Sequence, residues 1–145
     1  MILKSYSFRN NAEIPRTFTC DGANHNPSLI IEDIPSGTQS LLLIVDDPDA
    51  TGGRTFTHWL VWNISPEIGK IRENSVPENA IQGRNSWGVN YYRGPKPPSG
   101  THRYFFRIFA INAILGLDKG ANKQEVESAI KNHILDKAEL IGLYR

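Results

Sequence analysis

Five consecutive apolar residues, Leu41-Leu42-Leu43-Ile44-Val45, run directly into Asp46-Asp47-Pro48-Asp49-Ala50. Side chains along a strand alternate between its two faces, so a strand can bury all five only if both faces of its sheet are covered. Such a run suits a central strand covered on both faces. The carboxylates that follow put charge at that strand's mouth, in residue types that ordinarily make a solvated turn. Around this run, 12 Gly and 9 Pro fall in clusters between short apolar stretches, the punctuation of an all-β domain. Strands are expected at 3–8, 28–31, 40–46, 57–64 and 103–112. One helix is expected near the C-terminus. Asn122 is its N-cap, Glu125 completes a capping box, and Val126, Ala129, Ile130, His133, Ile134 and Ala138 recur at helical spacing. Leu140 to Tyr144 then forms a last short strand. The fold expected is an all-β-dominated sandwich with a C-terminal helix.

With 145 residues, the chain fits one domain, 1–145, which buries roughly 70% of its unfolded surface and needs no disulfide or metal to fold. Its 16 Lys and Arg against 15 Asp and Glu leave a net charge of +1, which argues against a nucleic-acid footprint or a polybasic membrane surface. One cysteine, Cys20, excludes an internal disulfide and a paired-cysteine zinc site. The N-terminal segment has no apolar h-region, and no run approaches the ~20 residues of a membrane span, so a cytoplasmic protein is expected. The sequon Asn63-Ile64-Ser65 is then a chance match.

Three segments carry polar chemistry beside apolar runs. The first is the Asp46-Asp47-Pro48-Asp49 turn. The second is Thr57-His58-Trp59-Leu60-Val61-Trp62, where strand alternation would put His58, Leu60 and Trp62 on one face. The third is the stiff loop Gly94-Pro95-Lys96-Pro97-Pro98, leading to His102 and Tyr104 on one face of the next strand. Each has an ordinary structural reading: a solvated turn, a core histidine, an ordered loop. Together they can form a small polar pocket in which histidines and backbone N–H groups donate to an anion. Asp47 would either hold a histidine tautomer and favour its charged form, or accept from a ligand hydroxyl or ammonium. Cys20 is expected to be a small structural residue, because a reactive thiolate needs a neighbouring base.

These residues, with Ile14-Pro15, Phe18-Thr19-Cys20-Asp21-Gly22, Asn26-Pro27-Ser28-Leu29, Asn85-Ser86-Trp87-Gly88 and His102-Arg103-Tyr104-Phe105-Phe106, give a chain that resembles the phosphatidylethanolamine-binding protein family over nearly its whole length. It is most similar to the short bacterial and archaeal branch, the Raf kinase inhibitor-like proteins. The resemblance implies a Greek-key β-sandwich with one small anion-accepting pocket. Its ligand-binding residues would be Asp47, His58, Gly94, Pro98, His102 and Tyr104, with Trp87 and Tyr92 as further lining. It also implies a regulatory protein that binds a small anionic or phosphorylated ligand, modulates a kinase or protease partner, forms a homodimer and uses no cofactor. The chain departs from the family pattern at Thr51-Gly52-Gly53, where a Pro is common, and at Arg93, where a Gly is common. Ser99-Gly100-Thr101 before His102 is also short, which bears on pocket depth. Arg93 at the rim would either raise anion affinity or block entry.

The competing reading is a hydrolase acting on a phosphoester or acyl group in the same pocket. No Gly-x-Ser-x-Gly, His-Glu-x-x-His or P-loop is present. No activated nucleophile is visible, and a metal site from Asp47, Asp49, His58 and His102 would lack a recognised spacing. No catalytic activity, cofactor or metal is therefore expected.

Overall fold

The computed structural model describes residues 1–145. Its strands are β1 (Ile2–Lys4), β2 (Ala12–Glu13), β3 (Leu29–Glu32), β4 (Ser40–Asp47), β5 (Phe56–Ile64), β6 (Lys70–Ile71), β7 (Ile81–Gln82), β8 (His102–Ile111) and β9 (Ile134–Tyr144). A 3₁₀ turn at Arg16–Phe18 and one helix, α1 (Lys123–Ile130), complete it. Six strands form a mixed sheet in the order β2-β9-β8-β4-β5-β7, and a second sheet has the order β1-β3-β6. No helix is long and apolar enough to cross a membrane.

Strand β4 is buried along its whole length, and its alternation divides the interior in two. Leu41, Leu43 and Val45 join the core between the sheets, with Trp59, Val61, Tyr104, Phe106 and Ile108. Leu42 and Ile44 face the other way and join Leu60, Trp62, Val126 and Ile130 beneath α1. Both faces of the central strand are thus covered, as its five apolar residues require. The β-sandwich with one short C-terminal helix is the architecture expected from sequence.

Three local expectations fail. The strand expected at 3–8 ends at Lys4, although Phe8 still enters the core. The helix ends at Ile130, and Ile134 and Ala138, expected on its apolar face, lie in β9 instead. Pairing with β8 decides this, since Ile134 is held opposite Ile111 and Ala138 opposite Ile108, and sheet pairing outweighs local helical spacing. The capping box is present, with the Glu125 N–H donating to Asn122 Oδ1 at 3.0 Å and the Asn122 N–H to Glu125 Oε1 at 3.2 Å. The third failure concerns His58 and shapes the site.

Candidate functional site

Between β4 and β5, Val45 pairs with Trp59, but Asp46 pairs with Thr57, so β5 carries one extra residue, His58. A bulge of this kind leaves the extra residue unpaired and re-aims its side chain. His58 therefore does not share the face of Leu60 and Trp62. Its ring meets Tyr104, on the inter-sheet face, at 5.2 Å between centroids. Thr57 lines a groove with Asn122 and Lys123 at the start of α1 instead. The bulge brings His58 onto the same side as Asp47 at the end of β4 and His102 at the start of β8.

These residues line a cavity of about 270 Å³ with Phe56, Trp87, Pro98 and Tyr104. Trp87 stands edge-on to His58 at 4.9 Å and to Phe56 at 4.6 Å, giving one aromatic wall. The loop 94–98 contributes Lys96, Pro97 and Pro98, and the turn after β4 contributes Ala50 and Thr51. Sequence reasoning did not single out Phe56, Lys96, Pro97, Ala50 or Thr51 as site residues. Proximity to His58 and membership of the Pro-rich loop were the available signals for the first three.

Both histidines are held by Nδ1. His58 Nδ1 lies 2.7 Å from the Arg93 carbonyl oxygen, which can only accept, so Nδ1 carries the hydrogen. His102 Nδ1 lies 2.7 Å from Asp47 Oδ2 in a buried contact and donates likewise. In each ring Nε2 is left without a protein partner. The remaining oxygen of Asp47, Oδ1, accepts from the Asp49 N–H at 2.8 Å. Asp47 is thus committed to orienting His102 and shaping its own turn. Burial lowers the His58 pKa, opposed by the Arg93 carbonyl and the charges of Asp47 and Asp46. Burial, reinforced by the Asp47 charge, pushes the Tyr104 phenol well above its ordinary range.

Charges at the rim are mostly engaged elsewhere. Arg103 grips Asp49 through two side-chain bonds of 2.9 Å, its backbone N–H adds a third of 2.9 Å, and the guanidinium holds the Asp49 pKa down at about 2. Lys96 Nζ reaches Asp21 Oδ1 at 2.9 Å, and Tyr144 donates to the other Asp21 oxygen at 2.7 Å. Arg93 neither lines nor blocks the cavity; its guanidinium lies over the Trp87 ring at 4.5 Å.

Two residues expected in the pocket lie outside it. Gly94 packs so closely against the Phe18–Thr19 backbone that an added Cβ would collide with the Phe18 carbonyl oxygen. Its N–H donates to Asn24 Oδ1 at 2.7 Å, and its carbonyl accepts from Cys20 Sγ at 3.2 Å. Tyr92 is buried and donates to the Phe18 carbonyl at 2.7 Å, so it braces the loop and lines a different cavity. Cys20 is half-buried. No three His, Cys, Asp or Glu side chains converge as a metal site.

The family model described as phosphatidylethanolamine-binding protein matches residues 4–145. A UPF0098 protein from Methanothermobacter thermautotrophicus is 45% identical, over 100% of this chain and 99% of the relative. Another from Aquifex aeolicus is 46% identical, over 97% and 86%. Among solved structures, a phosphatidylethanolamine-binding protein homologue from Chlamydia trachomatis superposes with a TM-score of 0.95 at 34% identity, over 99% of this chain and 96% of that one. YbcL of E. coli, described as a member of the mammalian family, gives a TM-score of 0.93 at 26% identity over the same shares.

Proposed function

The chain belongs to the phosphatidylethanolamine-binding protein family, and from that premise we propose that it is a regulatory protein whose cavity between β4, β5 and β8 seats a small anion or a phosphate-bearing group. The observation that carries this reading is the pair of histidines tied by Nδ1, each with Nε2 free, beside an aromatic and proline wall. Pockets for small ligands combine such apolar walls with a few oriented polar groups. The tautomers impose a condition. A neutral imidazole with its hydrogen on Nδ1 offers Nε2 as an acceptor, and an acceptor repels an anion. Anion binding therefore takes up protons at His58 and His102, or selects a ligand that brings its own proton.

Asp47, His58, Pro98, His102, Tyr104 and Trp87 are the residues assigned to this role. The anionic group would belong to a metabolite, a lipid headgroup or a phosphorylated side chain of a protein partner such as a kinase or protease. Self-association as a homodimer, measurable by sedimentation, completes the reading.

The test is an NMR titration of the wild type and His102→Ala with phosphate, phosphoethanolamine and acetate. Saturable amide shifts around Asp47, His58 and His102 are expected, lost in the variant, with affinity weakening as pH rises from about 5.5 to 8. An affinity that stays constant from about pH 5.5 to 8 would remove the histidines from this role. Absence of shifts at millimolar ligand would overturn the anion reading itself.

A further inference from the structure

A second cavity, of about 300 Å³, is walled by Tyr91 and Tyr92, just before the residue whose carbonyl holds His58. None of its lining side chains is a carboxylate, a lysine or an arginine. His25 is the one imidazole there; its Nε2 lies 3.4 Å from Glu73 but is buried without a hydrogen-bond partner. No permanently charged side chain lines this space. What the cavity offers instead is unspent amide chemistry.

Gln82 Oε1 accepts from Trp59 Nε1 at 2.7 Å. An indole N–H only donates, so the oxygen must face it, and the Gln82 NH₂ is left over. Asn24 Oδ1 accepts from the Gly94 N–H at 2.7 Å, which fixes that amide in the same way and leaves its NH₂ free. Asn26 differs, since both its ends are consumed by the chain at 27, 72 and 75. The floor is aromatic, with Trp59 edge-on to Tyr92 at 5.6 Å. At the mouth, Tyr91 is 54% exposed, a large ring presented to solvent beside a polar recess.

We propose that this cavity is a binding site for an uncharged polyhydroxylated ring, a neutral sugar. The NH₂ groups of Asn24 and Gln82 donate to ring hydroxyl oxygens. The Ser75 hydroxyl and the Asn74 amide, neither of which makes a side-chain bond within the protein, answer the ligand's own donors. The Tyr91 face packs against the apolar C–H face of the ring. A peptide strand fits less well. β7 is the edge of the six-stranded sheet here, but its Gln82 carbonyl is already taken by Asn90 Nδ2 at 3.1 Å. The proposal does not depend on the anion reading, because the two cavities share no lining residue.

The test is a ¹H–¹⁵N titration of the wild-type protein with glucose, galactose, mannose and N-acetylglucosamine, following the Trp59 indole N–H and the Asn24 and Gln82 side-chain amides. Saturable shifts with at least one sugar are expected, weakened tenfold or more (~1.4 kcal/mol) in Tyr91→Ala and in Gln82→Ala, and unchanged in His102→Ala. Gln82→Ala strips the partner from a buried indole and risks misfolding, whereas Tyr91→Ala changes an exposed ring and keeps the test sound. Absence of shifts with all four sugars at about 50 mM, far above the millimolar dissociation constants of weak binders, would overturn the proposal. Shifts that persist unchanged in Tyr91→Ala would overturn it equally.

Discussion

His58 and His102 are anchored by the same ring nitrogen but by different chemistry, a carbonyl for one and a carboxylate for the other. Burial lowers the His58 pKa in the folded protein, while in the unfolded chain it titrates near ~6.5. Between the folded value and ~6.5, the unfolded chain holds the extra proton. The stability owed to this group is complete above about pH 6.5 and is lost as pH falls through the folded value. Thermal melts at about pH 7.5 and 5.5 should therefore differ more for the wild type than for His58→Gln, and equal separations would exclude His58 as the source. The rim pair does not confound the comparison. With the Asp49 pKa held down at about 2, its contribution is present above the ordinary carboxylate range and is lost only as pH falls through that value. Phosphate should protect more strongly at the lower pH, because the bound anion favours the proton that burial disfavours.

At the scale of elements, what was legible in the sequence is what periodicity and turn chemistry control. The buried strand β4, the long strands β5 and β8 and the capped start of α1 all follow from residue type and spacing. The bulge at His58 is set by where β5 pairs with β4, so strict alternation put that ring on the wrong face. The first half of β9 is mostly exposed, so it has no apolar alternation to betray a strand, and its two apolar matches to helical spacing misled. The two-residue strands β2, β6 and β7 are defined by their partners alone. The site shows the same division. Asp47, His58, Pro98, His102, Tyr104 and Trp87 meet around one cavity, while Gly94 and Tyr92 brace the loop from behind. That bracing role is testable. Gly94→Ala would drive a methyl group into the Phe18 carbonyl and Thr19 Cα, and overpacking against backbone costs roughly 1–3 kcal/mol or more. Urea denaturation should register that loss, while Gly116→Ala, which meets nothing within 4 Å, should leave the midpoint nearly unchanged. A tolerant Gly94→Ala would mean that the loop shifts freely, and the loop could then not fix His58.

Across the whole molecule, the neighbouring carboxylates at the end of β4 point to opposite layers. Asp47 turns to the cavity and His102, whereas Asp46 turns toward α1 and is fully buried. Asp46 Oδ2 accepts from Lys123 Nζ at 2.7 Å and from an Arg107 nitrogen at 3.4 Å, and Oδ1 has no partner. The helix is thus tied by a buried charge to the strand whose end builds the cavity. A charge in that position is costly unless paired, and removing one partner of a buried pair costs about 3–5 kcal/mol. Lys123→Met should approach the lower end of that range, since Arg107 remains, and chemical denaturation measures it. Asp46→Leu combined with Lys123→Met removes the charge with its partner and should regain most of the loss, because an apolar replacement of a buried pair is often neutral. Simple additivity of the two single substitutions would show that they do not act as a pair. Loss of the His102 ring orientation in Lys123→Met, followed by its imidazole resonances, would show that the helix layer supports the cavity through β4. An unchanged imidazole would confine the role of this ion pair to holding α1 on the sheet.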